Sequence, residues 1–145
     1  MQFIEVEVDT ETGNVKILKG VSAHDVGRVL NQQTLRGQVQ GGLAQGIGYA
    51  LYEEVKTHEG RVQNPSFTDY KIPTAHEMAF PVDIFFAETD DPAGPFGAKG
   101  VGEPGLVPTA PALANAIYDA IGVRIRDLPI TPEKIVMALK NKKKG

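Results

Sequence analysis

The sequence predicts an α+β fold, and three observations carry the prediction. Apolar and polar residues alternate from Phe3 to Val8 and again from Val15 to Val21. Apolar residues recur every four positions from Val39 to Val55, and two more helix signatures lie nearer the C-terminal end. Together they describe a β-hairpin and further strands packed with about three helices. The 145 residues fit one domain, residues 1–145, burying about two-thirds of the surface of its unfolded chain.

In the first run Phe3, Glu5 and Glu7 alternate with Ile4, Val6 and Val8, the period of a half-buried strand. Turn chemistry follows in DTETGN, and Val15, Ile17 and Val21 carry the second run. The pair forms a hairpin whose loop exceeds two residues. The stretch SAHDVGRVLNQQTLRGQ is a transition, after which Val39, Leu43, Ile47, Leu51 and Val55 share one helical face. This helix holds Gly41, Gly42, Gly46 and Gly48, each costing roughly 1 kcal/mol against alanine. Close packing against a neighbour accounts for most of them. Gly37 and Gln38 fall near its electropositive start, where free backbone N–H groups suit a phosphate, although the spacing is neither Walker nor Rossmann.

GRVQNPSFTDYKIPTA, with its turn residues and two prolines, reads as a long ordered loop with room for a short strand. VDIFFAE reads as a strand in the sheet of the hairpin. Leu113, Ala114, Ile117, Ala120 and Ile121 then form a helical stripe closed by Gly122. The last helix opens with Thr131 as N-cap, Pro132 at the first position and Glu133 in the first turn.

A net charge of −3 gives no strong attraction to nucleic acid or an anionic membrane, and the basic KNKKKG tail reads as a solvated, frayed end. No apolar run could span a bilayer, and MQFIEVEVD lacks the pattern of a signal peptide. With no cysteine, disulfides, thiolate metal sites and a cysteine nucleophile are excluded, a composition that suits the cytoplasm. His24, His58 and His76 lie far apart without metal-ligand spacing, so no protein-ligated metal is expected.

The stretch most suggestive of chemistry is GPFGAKGVGEPG, Gly94–Gly105, with five glycines around Glu103 and Lys99. Glycine loses more backbone entropy on folding than any other residue, so the cluster calls for a reason. Three readings are open: a flexible surface loop, an anion-binding nest of backbone N–H groups, or a loop presenting Glu103 as a general base. The last needs restricted water access and a raised pKa, and an ammonium such as Lys99 beside Glu103 would oppose the raised pKa.

GAKGVGEPGLVPTAPALANAIYDAIGVRIRDLPITPEKI resembles the carboxy-terminal end of the molybdenum-binding subunit of the xanthine dehydrogenase/aldehyde oxidoreductase family. Upstream, HDVGRVLN, GQVQGGLAQGIGYALYEE and NPSFTDYKIPTA resemble successive segments of the same subunit in the same order, so that the likeness covers roughly Phe3 to Leu139. The resemblance implies a molybdenum hydroxylase, which oxidises a carbon of a purine, other N-heterocycle or aldehyde with oxygen from water. It implies a molybdopterin cofactor, as its cytosine dinucleotide in bacteria, with Fe–S clusters and FAD on partner subunits.

Residue by residue, the glutamate of the GVGE motif falls on Glu103, where the family's base deprotonates a molybdenum-bound hydroxyl. The GQ motif falls on Gly37 and Gln38, whose amide contacts the pterin. Ala98, Lys99, Gly100, Val101 and Gly102 match the loop beside the molybdenum, which the pterin and not the protein holds. The chain departs from the pattern at Gln32 and Gly105, where the family often has proline. It is also several times shorter, lacking the amino-terminal part that completes the pocket. The resemblance therefore implies an inactive portion that needs this remaining polypeptide, or a non-catalytic remnant keeping the fold. A simple nucleotide-binding protein is the weakest reading.

Overall fold

The computed structural model describes residues 1–142. Its strands are β1 (Gln2–Val8), β2 (Val15–Asp25), β3 (Thr57–His58), β4 (Arg61–Val62) and β5 (Val82–Ala87). Its helices are α1 (Gln32–Leu51), α2 (Thr109–Ile121) and α3 (Pro132–Lys142), with a short 3-10 turn at Pro95–Gly97. β1 and β2 form the expected hairpin, and VDIFFAE joins their sheet as β5, parallel to β2. A parallel neighbour cannot follow a tight turn, and the connection from β2 to β5 carries α1.

The second strand departs from simple alternation. Glu5 lies opposite Lys19 but Val6 lies opposite Ile17, so Leu18 is an extra residue in β2. Because side chains alternate with period two, that insertion exchanges the faces. Val15 and Ile17 pack toward the core, whereas beyond the bulge Gly20, Ser22 and His24 turn inward. Val21, expected on the face of Val15 and Ile17, lies instead on the other face, opposite Phe3.

α1 begins earlier and ends earlier than the four-residue repeat suggests. Asn31 is its N-cap, accepting through Oδ1 from the Thr34 N–H at 3.1 Å. At the other end the N–H groups of Tyr52 and Glu53 both donate to Gly48 O at 2.8 Å, which closes the helix after Leu51. Val55 therefore lies beyond the helix and is exposed. The supposed transition divides in two: SAHD completes β2, and QQTLRGQ forms the first turns of α1.

Leu43, Ile47, Ala50 and Leu51 of α1 pack with Leu113, Ile117 and Ile121 of α2 and with Ile130 and Ile135, beneath Ile4, Val6 and Ile17 of the sheet. The helices approach closely. A Cβ added at Gly46 would stand 2.4 Å from Thr109 Cβ, and one at Gly42 would stand 3.0 Å from the backbone of Gly105. Close packing thus explains Gly42, Gly46 and also Gly48, which meets Glu53 and Pro73, but not Gly41, which faces open space.

In α2 the stripe buries Leu113, Ile117 and Ile121 and leaves Ala120 exposed. Gly122 closes it in the left-handed region at φ 63°, its N–H reaching Tyr118 O at 2.7 Å. Thr131 Oγ1 caps α3 by accepting from the Lys134 N–H at 3.3 Å. The KNKKKG tail is not all frayed end: Lys140–Lys142 belong to α3, and Lys142 Nζ donates to Ile121 O at 3.1 Å. Its last three residues lie outside the described ones. The long loop carries the short strand β4, which pairs with β3 just ahead of the loop in a small hairpin turning at Glu59 and Gly60, both at positive φ.

Candidate cofactor groove and the Glu103 turn

The glycine-rich loop is an ordered strap fixed along its length. At its start Gly27 and Ala98 form a β-bridge, the Lys99 N–H donates to Val26 O at 3.0 Å, and the Arg28 N–H donates to Gly97 O at 2.9 Å. Gly27, at φ 61°, permits this approach, since a Cβ there would lie 2.3 Å from Gly97 O. Lys99 Nζ reaches Asp25 Oδ2 at 2.7 Å and Thr89 Oγ1 at 2.9 Å. Lys99 first, then Thr89 and the Gly27 N–H, hold the Asp25 carboxyl well below the usual carboxylate range. Lys99, the candidate neighbour of Glu103, is in fact the partner of Asp25.

Midway along the strap, Gln38 Nε2 donates to Gly102 O at 2.6 Å. The next residue, Glu103, opens a turn whose carbonyl accepts from the N–H groups of Leu106 at 2.9 Å and Val107 at 3.3 Å. The Glu103 side chain is exposed, so this chain does not itself supply the water exclusion that a general base needs.

Between the strap and α1 runs an open groove of ≈ 420 Å³. Of the residues expected at a cofactor site, Gln38, Ala98, Lys99 and Val101 line it. Gly102 is tied to the rim through Gln38, whereas Gly37, Gly100 and Glu103 stand outside the lining. No atom lies within 4 Å of where a Cβ would stand on Gly37, Gly100 or Gly102, which leaves the backbone there open to approach. Gly37 and Gln38 sit in the second turn of α1, where backbone N–H groups are taken by the helix, so the helix-start reading of these two is corrected.

The real start of α1 borders the same groove, together with three residues that sequence reasoning missed: Arg28, Asn31 and Thr34. Asn31 and the Thr34 N–H it caps form a helix-start signal, obscured because the apolar repeat begins only at Val39. Of the histidines, His24 is buried with Nε2 2.7 Å from Ser22 Oγ, and burial pushes its pKa down. His58 and His76 are exposed, and the described residues contain no group of three metal-ligating side chains. Among the same residues no helix is long and apolar enough to cross a membrane.

Residues 1–79 match the family model described as a molybdopterin cofactor-binding domain. The chain belongs to that family. Among curated relatives, the chain is 46% identical over 137 residues to the 6-hydroxypseudooxynicotine dehydrogenase complex subunit gamma of Paenarthrobacter nicotinovorans, covering 92% of this chain and 17% of that one. It is 38% identical to the putative xanthine dehydrogenase molybdenum-binding subunit of Escherichia coli, covering 92% of this chain and 18% of that one. Among solved structures it superposes on quinoline 2-oxidoreductase from Pseudomonas putida with a TM-score of 0.86 and 34% identity, covering 93% of this chain and 18% of that chain. The aldehyde oxidoreductase from Desulfovibrio desulfuricans gives 0.85 and 38%, over 92% of this chain and 14% of that one. The chain thus spans less than one-fifth of the length of these relatives.

The residues of the groove fit such a cofactor. A pterin edge needs both donors and acceptors, and a phosphate needs donors and positive potential. With Gln38 Nε2 on Gly102 O, the acceptor Oε1 is left for a ligand, while Arg28 and the first turn of α1 line the other part of the groove.

Proposed function

We propose that this domain is the carboxy-terminal cofactor-binding part of a molybdenum hydroxylase acting on a purine, other N-heterocycle or aldehyde. The observation that carries the reading is the Gln38–Gly102 hydrogen bond at 2.6 Å, which joins a groove-lining amide to the residue preceding Glu103. That bond holds the backbone just before Glu103, the carboxylate able to take a proton, against a side chain able to meet a pterin.

The bound molybdopterin supplies the two-electron oxidation of the substrate carbon with oxygen from water. Gln38 orients the pterin through its amide, and the open backbone at Gly100 and Gly102 lets the strap approach it. Arg28 and the N-terminus of α1 hold phosphate of a cytosine dinucleotide form. Glu103 receives, on a carboxylate oxygen, the proton of the water-derived hydroxyl. Ala98, Lys99 and Val101 shape the wall, with Lys99 acting through its latch to Asp25. Because Glu103 is exposed here, the amino-terminal remainder of the subunit closes the pocket and excludes water, and the isolated domain is inactive and binds little molybdenum. Electrons leave through iron–sulfur and flavin partners.

The test is reconstitution with that remaining polypeptide, followed by metal analysis and dye-linked oxidation of xanthine and aldehydes. Glu103→Gln is expected to retain molybdenum and lower kcat by about 10²–10⁴-fold. Retained activity in that variant refutes the base assignment. Robust turnover by the isolated domain refutes its dependence on the remainder, and no turnover in the reconstituted complex points to a non-catalytic remnant.

A further inference from the structure

Beneath the Glu103 turn lies a buried polar chain that the proposed chemistry does not use. It joins His24 and Ser22 of β2, Gln2 of β1, the carbonyl of Gly105 and Thr109 at the start of α2. All four side chains are buried, with Ser22 1% and Thr109 0% exposed. Gln2 is its centre. Its Nε2 donates to Gly105 O at 2.7 Å and to Ser22 Oγ at 3.2 Å, and its Oε1 accepts from Thr109 Oγ1 at 2.8 Å. A carboxamide supplies two donors and an acceptor, so one side chain answers all three partners.

The consequence concerns Gly105. Its carbonyl receives the Gln2 amide, stands 3.1 Å from Thr109 Oγ1, whose single proton is shared between it and the nearer Gln2 Oε1, and sits in the middle of the turn closed from Glu103 O to Val107 N. A Cβ on Gly105 would stand 3.1 Å from Val39 O, so the same residue is pressed against α1 one position beyond Gln38. The turn is thus gripped from the sheet and from α2 while it rests on the helix that carries Gln38.

We propose that Gln2 is a positioning residue for Glu103: by clamping Gly105 it fixes the turn that carries the base relative to Gln38. This rests on Glu103 being the base. Outside water competes poorly for these buried groups, so the clamp is rigid, and removing the carboxamide takes the amide donor from Gly105 O and leaves Thr109 Oγ1 with that carbonyl as its remaining acceptor. Ser22 and His24 complete the chain: the Ser22 hydroxyl accepts from Gln2 and donates to the imidazole Nε2 of a neutral His24.

The test uses Gln2→Met, which keeps length and removes the polar groups, with Thr109→Val as a second variant. Amide hydrogen exchange on the full chain reads the clamp without reference to activity. Protection of the Leu106 and Val107 amides is expected to fall about tenfold, as for one net hydrogen bond, while α3 and β5 keep theirs. In the reconstituted enzyme kcat falls with KM unchanged. Unaltered protection at Leu106 and Val107, or an equal loss in α3, overturns the clamp. Lost protection with unchanged kcat overturns the positioning role. Exchange does not depend on which group is the base, so failure of the Glu103 assignment shows separately, in Glu103→Gln.

Discussion

Gly46 is where the packing of the two main helices can be tested by a single methyl group. A Cβ there would lie 2.4 Å from Thr109 Cβ, 2.6 Å from Oγ1 and 2.9 Å from Cγ2. Carbon atoms in contact sit at about 3.5–4.0 Å, so the overlap exceeds about 1 Å. Thr109 cannot swing clear, because its Cβ is fixed to the α2 backbone and its hydroxyl is held by Gln2 and Gly105. The helices must part instead. Overpacking of this kind costs about 3 kcal/mol, and the better helix propensity of alanine returns about 1, so Gly46→Ala should lose about 2 kcal/mol. At this chain length that lowers Tm by about 4–8 °C. Gly41 in the same helix meets nothing within 4 Å, so Gly41→Ala should gain the propensity alone, about 1 kcal/mol and about 2–4 °C. Thermal unfolding followed by circular dichroism measures both. If Gly46→Ala melts at or above the parent temperature, the close approach of α1 to α2 is wrong.

Two predictions concern pH. The folded-state pKa of Asp25 is depressed, so its contribution is present above the unfolded value of about 3.9 and is lost as pH falls below it. Urea midpoints across the acid range should show that slope, and Lys99→Met, which removes the largest cause, should flatten it; an unchanged slope refutes the latch. The His24 pKa is also depressed, by burial, so the unfolded chain binds the proton more readily and stability should decline as pH falls below about 6.5. His24→Gln should remove this decline, and carbon-13 NMR of the imidazole should place its titration below the ordinary histidine range.

The sequence by itself determined the class of fold and most of its elements. The hairpin, the strand at VDIFFAE, the stripe of α2 and the cap at Thr131 are written in local periodicity and capping chemistry. It also brought Glu103, Gln38 and the stretch from Ala98 to Gly102 forward as a candidate site, through ordered motifs. Where local pattern and pairing part, the tertiary structure decided. The bulge at Leu18 moved Val21 to the other face, because pairing register is a property of two strands and not of one. α1 starts at its polar cap and stops at Leu51, while the apolar repeat runs on to Val55.

The same reason governs the site. Nothing near Lys99 in sequence indicates Asp25 as its partner, 74 residues away, and Gln2 lies 103 residues from the carbonyl it holds. Such contacts exist only once the sheet and helices have set distant backbone segments side by side. Composition and motif could nominate the residues of the strap. Only the fold decides that its ends are clamped, that its middle meets Gln38, and that the start of α1 with Arg28 completes the groove.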